Sequence, residues 1–427
     1  MPQYRLREAL SRGDFERALD WPEDDLLLRE LTAGAASYYA ARYDRSAAVL
    51  DSAALLADDR ITASISRSAL ALVTNDMARP YQPRRTERLF VAYYGMLSYA
   101  RLDKWDDAAV EARRMVSLLA QDDAQRDDAE RPLHAAMEYL AGAVFERAGE
   151  KGEATVSYRA AHALASAVPV PVQRKVELDG EVLLVVERGF VAHRTTETIS
   201  IRLDDDERES IHSDRVWNGV ARRVTERMDH RGAMYRYRDD DDDADDVQRL
   251  SIAFPILRRS APTWPGTLKA TADGSVTTVA SIVASVDDAS GVDERRERLA
   301  MITRAVARAA AKYTVTKAVE DKKGEVAGAI AGFGANLLER SDIRSWHLLP
   351  QELELIRLRV QPGARALTLE IGSSTSLRRL RIPEVVVNAG TVTIVPVRLW
   401  QSTPFESVTP VVAVADCAAP DCRPAVP

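Results

Sequence analysis

The sequence predicts a multidomain α and α+β protein: a helical-repeat solenoid, then a mixed α/β domain ending in a small β-sandwich or sheet extension. Three observations predict it. Apolar residues recur at helical spacing through residues 1–168 and change to strand-like runs after Val168-Pro169-Val170-Pro171. The same first 168 residues carry degenerate copies of one helix-turn-helix pattern. A long helical stretch, Asp293 to Pro350, then interrupts the strand-patterned remainder, which is organised around it.

The 427 residues exceed the roughly 250 to 300 at which single cores stop growing, so two or three domains are expected. With 58 basic against 65 acidic residues the net charge is −7, and bulk attraction to nucleic acid or an anionic membrane surface is not expected. The longest apolar run, Val326 to Leu338, falls short of the roughly 20 residues a spanning helix needs, so no transmembrane segment is predicted. The opening MPQYRLREAL has no apolar core of a signal peptide.

The clearest repeat copy contains Gly142, Phe145, Gly149, Ala154, Tyr158 and Ala161, spaced as in the tetratricopeptide template, where small residues let paired helices approach and an aromatic fills the gap. Weaker copies are Gly34, Ala41, Tyr43, Ser46, Leu50 and Ala53, and Tyr99, Trp105, Ala108 and Ala112. Gly13, Phe15 and Ala18 look like the second half of another. Gly34, Met96 and Gly142 anchor the copies. Stacked pairs of this kind form a tetratricopeptide-like α-solenoid with a concave surface. Tyr38, Tyr39, Tyr93 and Tyr94 are the aromatics placed to line such a groove for an extended peptide or partner helix; packing between helices is the competing and more favoured role. Arg113, with Arg114, could pair with an acidic partner or simply be solvated.

The domain boundary falls at Pro169 to Pro171, giving a repeat region 1–168 and an α/β domain 172–350. Four hairpins are predicted beyond that boundary. Lys175 to Leu178 and Glu181 to Val186 flank Asp179-Gly180, and Asp273-Gly274 marks a second. Leu353 to Val360 and Ala366 to Ile371 flank Pro362-Gly363; Val385 to Val387 and Val392 to Leu399 flank Asn388-Ala389-Gly390. Thr198 to Leu203 and Leu250 to Leu257 are further strands, and Arg215 to Met228 is a helix. Residues 351–400 form a β-rich portion, and the Pro-rich tail 401–427 is expected to be disordered.

Within the central stretch Leu299, Ile302, Val306, Ala309 and Tyr313 mark one buried helical face. Arg304, Arg308 and Lys312 form a positive stripe beside it, suited to an anionic glycan, lipid headgroup or acidic peptide, or to a solvated helix face. Asp342, Arg344 and Trp346 form a tighter polar cluster in which Asp342 could cap or salt-bridge, Arg344 could pair and Trp346 could pack with its indole N–H satisfied.

Chemistry-bearing motifs are sparse. Asp239 to Asp246 lacks the glycine and glutamate of a calcium loop and is expected to be exposed and metal-free. The histidines at 134, 162, 193, 212, 230 and 347 make no HExxH pair, and no phosphate loop, dinucleotide turn or nucleophile elbow is present. No metal, cofactor or catalytic residue is predicted. Cys417 and Cys422 are too few for a four-ligand zinc site; a disulfide between them would need an oxidising compartment, which points to the cell envelope.

The blocks ERLFVAYYGMLSYARLDKWDDAAVEARR (Glu87 to Arg114), ARAAAKY (Ala307 to Tyr313) and SDIRSWHLLP (Ser341 to Pro350) together resemble a family of bacterial envelope proteins, often lipoproteins. Those proteins pair tetratricopeptide-like N-terminal helices with an α/β C-terminal region. The resemblance covers about Arg79 to Leu399 and implies a periplasm-facing protein without established enzymatic activity. Two functions are expected on this basis. One is a non-enzymatic scaffold or adaptor that binds a protein partner through its repeats. The other is a glycan-binding or enzymatic protein with a site near Arg304, Arg308 and Arg344, for which a deep polar cleft beside those residues would speak.

Overall fold

The computed structural model describes residues 2–66, 79–121, 126–168, 179–204, 206–207, 210, 213–230, 249–260, 266–273, 278–323, 341–373, 376–400 and 411–412. The chain is a mixed helical and sheet protein, helices first. Among the described residues eight helices come first: α1 (Pro2–Ser11), α2 (Phe15–Leu19), α3 (Leu26–Tyr39), α4 (Tyr43–Ser66), α5 (Arg85–Arg101), α6 (Trp105–Gln121), α7 (Arg131–Arg147) and α8 (Lys151–Leu164). Each packs on the next.

The helices divide by composition. α5 and α7 are apolar around most of their circumference and bury residues on every side, as a helix enclosed by its neighbours must. α6 and α8 carry a single buried stripe and leave Val110 and Val156 exposed on the far side. Three glycines set the close approach within pairs. A Cβ on Gly34 would meet Leu50, one on Gly95 would meet Glu111, and one on Gly142 would come 2.9 Å from the Tyr158 ring, each partner at the same separation along the chain. The middle anchor is therefore Gly95, not its neighbour Met96.

The strands are β1 (Gly180–Arg188), β2 (His193–Arg202), β3 (Arg249–Arg258), β4 (Thr267–Ala272), β5 (Thr278–Ser285), β6 (Glu352–Val360), β7 (Gly363–Ser373), β8 (Ser376–Val387), β9 (Val392–Leu399) and β10 (Val411–Val412). Between β2 and β3 lies α9 (Asp214–His230), and α10 (Val286–Lys323) follows β5. They form a five-stranded sheet β10-β9-β1-β6-β5, a three-stranded sheet β4-β7-β8 and a pair β2-β3. β1 runs parallel to β9 and antiparallel to β6.

β1 shows why the layers stack as they do. All nine of its residues are buried. Val182, Leu184 and Val186 face the three-stranded sheet, with Leu358, Leu369 and Val387, while Leu183 and Val185 face the helices. A strand covered on both faces reads as a continuous apolar run, and this one does. The helical core runs without a break from Leu6 to Trp400, mixing Leu27, Tyr94 and Tyr139 with Leu355 and Val392. A third core joins β2 and β3 to α9 and α10 through Ile199, Val220, Phe254, Ile302 and Val306.

Three of the four predicted hairpins do not form as pairs of neighbouring strands, and the first arm of the other, Lys175 to Leu178, lies outside the described residues. Both edges of β1 are taken by β6 and β9. β4 and β5, β6 and β7, and β8 and β9 each lie in different sheets. The turn residues are real, and Gly363 has φ 110°, but these turns carry the chain across the sandwich. Local turn chemistry fixes where a strand ends; the apolar faces decide which sheet it joins. The hairpin that does form, β7 with β8, was not anticipated. Strands from both sides of residue 350 share both large sheets, so that position does not divide the fold. The Asp239 to Asp246 loop, Cys417 and Cys422 lie outside the described residues, as does the tail apart from β10.

On α10, Ile302, Val306 and Ala309 are buried as expected, joined by Ala305. Leu299 is 74% exposed: it sits about 60° round the helix from Ile302, past the edge of the face that β3 and α9 cover. The side chains of Lys312 and Tyr313 lie outside the described residues. Ile302→Ala is expected to cost about 2–4 kcal/mol in urea unfolding, whereas Leu299→Ala should stay within about 0.5 kcal/mol of the parent. Equal losses at the two positions would contradict this placement. Arg308, expected on a partly solvated stripe, is buried, because its position follows the covered face closely enough to be enclosed with it.

Candidate functional site

The four tyrosines form one buried aromatic cluster. Tyr94 packs edge-on against Tyr39, Tyr93 and Trp346, and Tyr39 against Trp400. The Tyr39 hydroxyl shares a hydrogen bond with Tyr94 and donates to Glu187 at 2.8 Å. Burial raises the pKa of Tyr38, Tyr39, Tyr93 and Tyr94 well above the ordinary tyrosine value, and Glu187 adds to the rise in each. These residues line no open groove: the chain's own Phe190, Trp346, Leu348 and Trp400 occupy the space beside them. Arg113 lies on the surface, paired with Glu150 at 2.6 Å.

A different site lies where the helical region meets α10. Asp25 caps α3, accepting from the Leu27 and Leu28 N–H groups. It also accepts from the Tyr81 N–H at 2.9 Å and from Arg60 at 2.7 Å. Burial works to raise its pKa, but those hydrogen bonds outweigh it and hold the carboxyl below its usual value. The segment 79–84 is thereby pinned ahead of α5. Glu87, in the first turn of α5, accepts from the Arg84 N–H, the Tyr81 hydroxyl and the Trp346 N–H.

Arg344 donates to both carboxylate oxygens of Asp342, each at 2.8 Å, and to the Arg79 carbonyl at 2.9 Å. Asp342 and Arg344 thus pair with each other, and the bond from Arg344 to Arg79 ties the 341–350 segment to the helical region. Trp346 is buried as expected, but its indole N–H has no acceptor among the described residues, because the cluster around it is aromatic.

These ties leave a cavity of about 210 Å³ between the 79–84 segment, β2, β3 and α10. Arg79, Arg84, Arg194 and Arg304 line it with Glu297 and Asp342, and Tyr81 and Met301 supply apolar wall. Glu297, Met301 and Arg304 recur at the spacing that puts residues on one helix face. Arg84 and Arg194 both reach the same oxygen of Glu297, at 3.4 Å each. Burial, then the charge of Arg84, lower the pKa of Arg194, with Glu297 opposing. Arg84 moves the other way: burial would lower its pKa, but Glu297 and Glu87 raise it. Asp293 stands one turn of α10 before Glu297 and accepts from the Thr86 N–H at 2.9 Å; burial pushes its pKa up to about 6.

Of the residues singled out in the sequence, Arg304 and Asp342 line this cleft, Arg344 braces it, and Arg308 stands outside its lining. Arg79, Arg84, Arg194 and Glu297 were missed, since three separated stretches supply them. No group of metal-ligating side chains occurs among the described residues, and no helix among them is long and apolar enough to cross a membrane. No family model, curated protein or solved structure matches the chain.

Proposed function

We propose that this protein is a non-enzymatic binding protein whose cleft between the helical region and α10 takes an anionic ligand. The observation that carries this reading is the convergence of Arg79, Arg84, Arg194 and Arg304 on one cavity, with Glu297 and Asp342 the only lining carboxylates among the described residues, Asp342 being engaged by Arg344. Guanidinium groups held in a partly desolvated wall favour planar or tetrahedral oxyanions, which they meet with paired N–H donors. The tetratricopeptide-like helices serve as the frame that holds one wall of the cleft. Docking of a peptide on Tyr38, Tyr39, Tyr93 and Tyr94 is not part of the proposal, because they are enclosed by the chain itself. An envelope location, implied by the family resemblance, belongs to the same proposal, and cell fractionation tests it.

Thermal unfolding at fixed ionic strength checks the binding. Anionic sugars and phosphate or carboxylate esters should raise the midpoint and neutral sugars should not; at a hundredfold excess over Kd the gain is about 2.7 kcal/mol. Arg194→Ala should remove the response. Equal shifts by neutral and charged compounds would count against the proposal.

A further inference from the structure

Resting on that reading, we propose that Glu297 occupies the oxyanion position of the cleft in cis, and that the ligand is a phosphate ester whose headgroup displaces it from between Arg84 and Arg194. The geometry of the present occupant is poor. One oxygen of Glu297 serves both guanidinium groups at 3.4 Å, longer than the roughly 2.7–2.9 Å of a strong charge-assisted hydrogen bond. The side chain of Glu297 is 44% exposed, against 13% for Arg84 and 5% for Arg194. Two enclosed cations are therefore shared by one loosely held anion that can swing into solvent.

The neighbouring carboxylates act on the pair through its field but do not bridge the two guanidinium groups. Glu87 accepts from Tyr81, Trp346 and the Arg84 backbone and stands 3.9 Å from the Arg84 guanidinium. Asp293 accepts from the Thr86 N–H, and Glu294 is largely enclosed, its pKa raised by burial against the opposing charge of Arg194. Glu297 thus brings one negative charge to two guanidinium groups. A phosphate monoester brings about −1.5 to −2 and three terminal oxygens, so the exchange places more negative charge between the two guanidinium groups and offers each arginine its own acceptor. Arg79 and Arg304 line the same wall further along.

Calorimetric titration of the full chain with inorganic phosphate, glycerol phosphate and malonate tests this. Glu297→Gln is expected to bind phosphate about tenfold more tightly than the parent, since the internal competitor loses its charge. The remote Glu370→Gln, which removes an equal charge beside Arg379, should leave affinity unchanged. Arg194→Ala should abolish binding in either background. Vesicles containing phosphatidic acid, whose headgroup is a phosphate monoester, with phosphatidylcholine as control, separate the two sources of the headgroup: capture reversed by inorganic phosphate assigns a lipid, and phosphate binding without capture assigns a soluble ester. If Glu297→Gln leaves phosphate affinity unchanged while Arg194→Ala still abolishes it, the displacement is wrong and the anion cleft stands. Preference for malonate over phosphate overturns the ligand class, and equal tightening by Glu370→Gln overturns the local mechanism. If no anion binds the parent or Glu297→Gln, both proposals fall.

Discussion

Arg357→Ala is expected to be the most damaging single substitution, costing about 3–5 kcal/mol in urea unfolding. Arg357, on β6, has no exposed surface. Its Nε donates to Glu181 of β1 at 2.6 Å, and its two terminal nitrogens donate to the Tyr158 hydroxyl of α8 at 2.7 Å and to Glu146 of α7 at 2.9 Å. Tyr158 also donates to Glu146 at 2.8 Å. One guanidinium therefore joins the five-stranded sheet to the last helix pair, and Tyr158 is held in place by the approach of Gly142. Truncation leaves Glu181 enclosed without its cation, and stranding a charge costs more than the intact pair contributes. Against a typical domain stability of about 5–15 kcal/mol the loss is large. Arg357→Met combined with Glu181→Gln should recover part of it, because no buried charge is then left over. A loss under about 1 kcal/mol for Arg357→Ala would mean that water reaches the cluster and that the helical layer is not anchored there.

Legibility in the sequence depended on which interactions are local. The helices of the first 168 residues were legible, because Gly142 and Tyr158 meet inside one helix pair and the same spacing returns at Gly34 with Leu50. The sheets were legible as strands and not as partners. Pro362-Gly363 ends β6 correctly, yet only the inward faces of β6 and β7, meeting across the sandwich, assign them to different sheets. The tyrosines were legible as helical aromatics, while their cover comes from Phe190, Trp346 and Trp400, far along the chain. The cleft is the extreme case. Arg304 and Asp342 stood out, but Arg84 and Arg194 gain meaning only once α10 brings Glu297 between them. The available hint was the run Glu297, Met301, Arg304 on one face of the long helix, with the apolar stripe directed elsewhere.

Glu138→Gln and Glu111→Gln are expected to stabilise the protein at alkaline pH, each by on the order of 2 kcal/mol, and to do little in acid. Both carboxyls are buried between helices. Burial raises each to about 7, with Ser157 and Arg126 only partly opposing it at Glu138 and Arg114 at Glu111. A carboxyl whose folded pKa lies above its unfolded value binds more protons folded than unfolded, so stability falls as pH rises between the two values. For these groups the window runs from the ordinary glutamate value of 4.5 to about 7. The advantage of the glutamine variants should therefore open across that window and stay constant above it. His347 tilts the parent the other way: burial, then Arg7 and His193, hold its pKa well below 6.5, so it destabilises the fold as pH drops. That contribution is common to parent and variant and cancels in their difference. The two glutamates lie on different helices, α6 and α7, and share no hydrogen bond, so the double variant should gain the sum, on the order of 4 kcal/mol. Urea unfolding of parent, single and double variants from mildly acidic to alkaline pH measures it. A difference independent of pH would show that both carboxylates are already ionised and solvated, and that water penetrates between α5, α6 and α7.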